Sequence, residues 1–452
     1  MALGILMTYA LVAYLVVLVF IALRSARRVK DIPDFFVARK AASAKAVAGS
    51  LVATILGGSA VIGAVDSGAR LGGAASWFML VGALGLLALI PIAGRAYEHG
   101  KYSLPDLVEN LYGKGPRLVA TIVIPVAWTG IVAAQIIAAA KLLMTFTPLG
   151  YTTAAVVSAV VFTGYTLAGG QLSILRTDFL QACLIIAGLA LVAGFAMVNG
   201  AGDAGVLPSK DLSFPFNAGF SPFDLFLLIL TYGTTYTAGP DIYSRVFCAK
   251  DVATAKKGIA MAACVLIPVA FVIGILALFG TSLGEIQGAR ITAIANAVLP
   301  PALVPLFALA LLSVVLSSAD TTLLSSSVII NGLFRKPSLL QARIIILLNG
   351  TVALLLALVF TDIIGTLLLA LAVYAGAFTV PILWGLLGLQ AKPKFVGVAI
   401  IAGGILALSG KLCPAIPGPL GQHTGDILMI AAFVVNAVIL ALGRESRSVK
   451  EA

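Results

Sequence analysis

The chain has 452 residues, 61% of them apolar and only 10% charged, with a mean hydropathy of +1.11. Soluble chains carry about 25% charged residues, so the composition excludes a water-soluble globular protein and points to one that crosses the membrane many times. The net charge of +11 raises a nucleic-acid surface as an alternative, which the placement of the charges decides.

The first apolar run, residues 5–23, has no Lys or Arg before it and Arg24, Arg27, Arg28 and Lys30 after it. A secretory signal has the opposite charge order, so a retained helix with its N-terminus outside is expected. Further runs of spanning length fall at about 46–65, 74–94, 118–146, 152–168, 179–198, 223–239, 259–280, 302–333, 342–361, 363–388, 395–411 and 424–442. The expected fold is an all-α polytopic membrane protein with about 13 transmembrane helices. With the N-terminus outside, 24 of the 29 Lys and Arg residues lie in cytoplasmic loops, which predicts an N-out/C-in topology. Most of the positive charge then faces anionic lipid and no nucleic-acid partner is expected. Cys183, Cys248, Cys264 and Cys413 lack redox or metal spacing, and His99 and His423 lie outside the apolar runs, so neither a disulfide framework nor a histidine relay is expected.

The second run carries Gly57-Gly58 at mid-span, each glycine weakening a helix by roughly 1 kcal/mol. Such a pair either allows close helix packing or breaks the helix and exposes backbone groups that must line a protein cavity. A second interruption, Thr231 to Pro240, contains hydroxyls, Gly233, Gly239 and Pro240. The two breaks lie five spans apart and open two five-helix blocks, residues 46–198 and 223–388. Because five is odd, the second block has the opposite orientation, and paired breaks of this kind mark a midplane binding site. Residues 1–45 add a helix and cytoplasmic loop, 199–222 form an external loop, and 389–452 add two helices and a short tail.

Gly57, Gly58 and Ser59 can present N–H groups to an anionic solute. Tyr232 and Tyr236 share a helical face with Thr235 beside them, and either line that site or pack as ordinary aromatics. Gln135 and Asn349 are expected to bond between helices. In the ninth run, Ser317, Asp320 and Thr321 share one face, while Ser318, Thr322 and Ser325 share the next. A charge at the bilayer centre costs about 2.5–3.5 kcal/mol, so Asp320 needs a partner or a cation. Hard oxygens without His or Cys suit a hard cation, and sodium is the expectation. An internal hydrogen bond is the competing role for Asp320, and bracing of its helix end is that for Asp178.

Five segments carry a resemblance. They are Asp34-Phe35-Phe36-Val37-Ala38-Arg39-Lys40, the stretch Tyr102 to Glu109, Gly169-Gly170 with Thr177-Asp178 and Gln181, Gly239-Pro240-Asp241 followed by Arg245, and Ser317 to Ser327. In this order they resemble the sodium/solute symporter family, which includes proline, pantothenate, sialic acid and sodium/glucose carriers. The resemblance implies a LeuT-like 5+5 inverted-repeat core, alternating access and Na+ as the coupling ion. It implies a general sodium site of carbonyls from Ala53, Leu56 and Val314 with hydroxyls from Ser317 and Ser318. A second sodium, held by some members, maps to Asp178, Ser317, Asp320 and Thr321. Two carboxylates so close in low dielectric repel unless a cation or Arg176 neutralises them.

Tyr236 and Pro240 follow the pattern of the proline carriers, whereas Tyr232 stands where those have a tryptophan and Ile55 where they have an acid. Ser59 and Ala60 lack the polar side chains of the sugar carriers. The expected function is sodium-coupled import of a small carboxylate-bearing solute, such as proline or a short organic acid, across a bacterial or archaeal plasma membrane. Two alternatives stay open: a proton-coupled transporter using Asp178 or Asp320, and a sensor working with a separate signalling partner, since only ten residues follow Leu442. No nucleophile–His pair lies in a span, so an enzyme is not expected. Oligomeric state has no signal in the sequence.

Overall fold

The computed structural model describes residues 2–199, 213–281, 289–334, 336–360, 363–412 and 424–445. Most of the expected external loop 199–222 and the tail after Glu445 lie outside them. The described residues are helical apart from loops and isolated two-residue bridges. Helices follow from the apolar runs because lipid cannot satisfy a free backbone amide, whereas a helix satisfies its own.

Helix α1 spans Ala2–Ala26. The next run is broken: α2 (Ala44–Ile55) stops, and the chain resumes as Ala60–Asp66 at 55° to it. Helices α3 (Ser76–Leu89) and α4 (Lys114–Phe146) follow. Helix α5 (Tyr151–Asn199) is interrupted at Gly170, which has φ 54° and ψ −154°. A straight helix would hold residues 165 and 177 about 18 Å apart, yet the Tyr165 hydroxyl meets that of Thr177 and accepts a hydrogen bond from Ser173 at 3.3 Å. The chain therefore folds back at Gly170. A Cβ there would lie 2.5 Å from Phe35 Cδ2, so the reversal and the close approach both require glycine.

The second interruption comprises α6 (Pro222–Leu228), a π-helical turn (Ile229–Gly233), α7 (Thr234–Ala238), an extended Gly239 and α8 (Pro240–Cys248). The remaining long helices are α9 (Val252–Thr281), α10 (Val304–Asn331), α11 (Leu339–Val359), α12 (Ile363–Leu386), α13 (Pro393–Leu412) and α14 (Thr424–Leu442). Among the described residues nine helices are long and apolar enough to cross a membrane, or ten with the bent pair counted as one span. The other expected runs correspond to the second limb of α5, to α1, and to the interrupted segment 222–238.

Helix α10 is the axis of the molecule. Every residue from Ser313 to Ile329 is buried, including seven serines and threonines between Ser317 and Ser327. The outward faces are apolar, with Val126, Val160, Leu355 and Val434 each more than half exposed. Polar side chains thus point inward and apolar ones outward, as a lipid solvent dictates.

Candidate solute and cation site

A helix leaves its last four carbonyls without partners. At the end of α2 two of these are met from α10, since Ser317 Oγ donates to Ala53 O at 2.9 Å and Ser318 Oγ to Thr54 O at 3.0 Å. Ser317 Oγ also lies 3.3 Å from Val314 O. Four of the expected cation positions (Ala53, Val314, Ser317 and Ser318) therefore meet at one junction of neutral oxygens. Leu56 closes α2 with its N–H on Val52 O at 2.9 Å and has already left the helical conformation, with ψ 49°. A Cβ on Gly57 would lie 2.4 Å from Ser318 Oγ, so glycine at the break leaves room for that hydroxyl against the end of α2.

One turn further along α10, Asp320 and Thr321 come together with Asp178 of α5, all fully buried. Of the two neutralising partners the sequence suggests, a cation or Arg176, the structure rules out the arginine. Arg176 turns to α1, donating to Ser25 Oγ at 3.1 Å. The guanidinium among the carboxylates belongs to Arg245 of α8, which is 0% exposed. It contacts Asp178 at 3.3 Å, Ser50 Oγ at 2.9 Å and the Thr321 hydroxyl. Ser50 in turn donates to Asp178. Arg245 falls between the apolar runs 223–239 and 259–280, where hydropathy predicts a cytoplasmic loop, but the extended Gly239 turns α8 so that it packs against α2 and α10. The apolar flanks Ile242, Tyr243, Val246 and Phe247 were the available signal, because a solvated arginine does not need them.

One guanidinium balances one carboxylate. Asp320 Oδ1 lies 3.4 Å from the Thr321 hydroxyl, while Asp320 Oδ2 and Asp178 Oδ1 are buried without a hydrogen-bond partner. A buried unpaired carboxylate oxygen is costly, so the carboxylate pair is under-neutralised by Arg245 alone.

Between the two breaks lies a cavity. Thr54, Ile55 and Gly57 line it from the first break, Tyr232, Thr235, Tyr236 and Asp241 from the second, and Ser318 and Thr322 from α10. Of the residues expected to hold solute, Gly57, Tyr232, Thr235 and Tyr236 face it together. Gly58 stands behind, its N–H on Gln135 Oε1 at 3.3 Å, and the Ser59 side chain lies outside the described part. Tyr232 and Tyr236 meet edge to face at 5.1 Å, and Tyr236 packs over Gly82 and Gly85 of α3.

Sequence reasoning missed Trp128, Ile131, Asp241 and Thr322 as lining residues. Trp128 has an indole N–H without a partner, and Asp241 sits in the first turn of α8. Hydroxyls also tie down the second break, where Tyr243 donates to Thr237 O at 2.9 Å and Tyr374 donates to Ala238 O.

A model of the sodium:solute symporter family matches residues 35–392. A sodium/proline symporter of Haemophilus influenzae is 27% identical over 238 residues, 49% of this chain and 45% of that protein, so the match spans about half the length of that curated relative. Among solved structures, a Na+-coupled sialic acid symporter in a substrate-bound outward-open state superposes with a TM-score of 0.78 at 18% identity, covering 98% of this chain and 99% of that one. A manganese transporter of Eremococcus coleocola superposes with a TM-score of 0.57 at 15% identity, over 88% of this chain and 95% of that one. At these identities the two structural likenesses concern the fold.

Proposed function

Because the chain belongs to the sodium:solute symporter family, we propose that it couples sodium entry to the uptake of a small amphipathic solute by alternating access. One observation carries this reading: two α10 hydroxyls sit on the carbonyls that the break in α2 leaves open. Ala53, Leu56, Val314, Ser317 and Ser318 are the proposed sodium ligands. The solute lies in the adjoining cavity against Gly57, Tyr232, Thr235 and Tyr236. Each sodium that enters contributes about 2.3 kcal/mol per 100 mV of membrane potential. The two repeats are residues 46–198 and 223–388, with the N-terminus outside and the C-terminus inside, in a bacterial or archaeal cell membrane.

The cavity chemistry favours an amino acid over a simple organic acid. The Trp128 N–H is a donor for a carboxylate, Asp241 is an acceptor for an ammonium group, and Ile131, Leu367 and Leu371 supply apolar wall. A second reading, proton coupling, is favoured by the unpartnered oxygens of Asp178 and Asp320, which with Thr321 would take either a second sodium or a proton. Uptake of labelled amino acids into proteoliposomes tests both readings. Accumulation driven by a sodium gradient at equal pH supports sodium coupling. Accumulation driven by a pH gradient in sodium-free buffer, with none from sodium, would reject it.

A further inference from the structure

Away from the solute cavity, a crevice runs along the lipid-facing side between α1, the first limb of α5 and α11. Two adjoining hollows form it, sharing Leu23, Gly164 and Ala168. Along α1 it extends from Leu15 to Ala26, eleven residues or about 16 Å. Half of a bilayer's hydrocarbon core is about 15 Å thick, so the crevice has the length of one leaflet. Its walls are apolar and open to lipid, with Leu23 55% and Leu347 53% exposed. Its floor includes Leu316, the chain neighbour of Ser317.

The Ala26 end differs in character. Arg343 lines the crevice there together with Leu23 and Ala26, Arg24 and Arg28 flank that end of α1, and Arg176 reaches it by donating to Ser25 Oγ at 3.1 Å. Among the described residues none of these four arginines has an ion pair with a carboxylate. A positive-inside signal alone calls for arginines in a loop, not for one on the wall of a leaflet-long apolar slot. We propose that this crevice binds an anionic phospholipid, with an acyl chain along α1 and the phosphate among Arg24, Arg28, Arg176 and Arg343. Basic pockets between helices at the charged membrane face suit such headgroups.

Gly164 allows a steric test separate from the charges. A Cβ there meets nothing within 4 Å and Gly164 lines both hollows, so a larger side chain takes up crevice space. The purified full-length chain would be mixed with palmitoyl-oleoyl phosphatidylglycerol or phosphatidylcholine and its retained lipids counted by native mass spectrometry. The wild type should retain phosphatidylglycerol preferentially, Arg343→Gln should bind it about fivefold more weakly, and Gly164→Trp should lose it with all arginines in place. Gly164→Leu serves if the tryptophan variant does not fold. Equal retention of the two lipids, or undiminished phosphatidylglycerol in both Gly164 variants, would overturn the proposal. So would displacement by excess inorganic phosphate, which would mean that the acyl chain contributes nothing. Conversion of a dimer to a monomer by both variants would assign the crevice to a second copy of the chain instead.

Discussion

The Ser317 hydroxyl has one proton and two lone pairs, and it spends the proton on the Ala53 carbonyl. When a cation sits at the junction, the same oxygen can turn a lone pair toward it, while the carbonyl trades a hydrogen bond for a metal contact. Ser317→Ala removes a proposed sodium ligand and strands a buried carbonyl, a loss of about 1–3 kcal/mol. Sodium-dependent solute binding should weaken about fivefold or more, with Ser317→Thr restoring most of it. Equal sodium dependence in wild type and alanine variant, measured by radioligand binding, would remove Ser317 from the site. Arg245 is the other decisive residue. Arg245→Gln leaves Asp178 buried with only Ser50, and breaking a buried pair costs about 3–5 kcal/mol. Adding Asp178→Asn should recover part of that loss. Thermal unfolding of the two single variants and the double variant reads the coupling directly, and additive losses would mean that the pair does not act as a unit.

At the level of elements, the breaks matter more than the helices they divide. Gly57→Ala would push a methyl group to 2.4 Å from Ser318 Oγ and displace that hydroxyl from the Thr54 carbonyl. Sodium-stimulated uptake should be lost while the protein still folds. Wild-type uptake would show that the Ser318 hydroxyl can move without penalty. A second element outside the membrane region is the turn after Lys30, where Arg39 forks across Asp31 and Asp34 at 2.8 and 2.6 Å. Ala38, Arg39 and Lys40 all have positive φ, a conformation side chains avoid, and the fork helps to hold them there. Arg39, first among the causes, holds the Asp34 carboxyl down at about 2, from an ordinary 3.8. A depressed value stabilises the turn at all pH above the ordinary carboxylate range and is lost as pH falls toward 2. Arg39→Gln should shift this loosening up toward pH 4, read as faster amide exchange over residues 32–40. An unchanged pH profile would mean that the fork is not what holds the turn.

For the whole molecule, the apolar runs predict span number and the charge asymmetry predicts sidedness. With the N-terminus outside, Lys30 faces the cytoplasm. In a background with the four native cysteines replaced, Lys30→Cys should react with an impermeant maleimide only in inside-out vesicles. Labelling in intact cells would invert the topology. The helix-by-helix plan was legible in advance because a hydrocarbon solvent leaves a chain few options, and Gly57-Gly58, Gly239-Pro240 and the α10 hydroxyls stood out against apolar surroundings. Gly170 was less so: its reversal shows in Tyr165 reaching Thr177, a contact that hydropathy cannot report.

Sequence by itself determined that this is an all-helical membrane protein with glycine- and proline-rich interruptions in two of its apolar runs and a polar stripe on α10. Each of these is a local property, set by how lipid treats apolar side chains, glycine and buried hydroxyls. Only the tertiary structure decided which groups meet. Ser317 and Ala53 are 264 residues apart and Asp178 and Arg245 are 67 apart, and nothing in either neighbourhood names the other. That Arg245, and not Arg176, enters among the carboxylates depends on where the extended Gly239 aims α8 and on which helices pack around it. Packing between helices is settled by the fit of many weak contacts at once, so the partner of a buried charge is read only when the helices are in place.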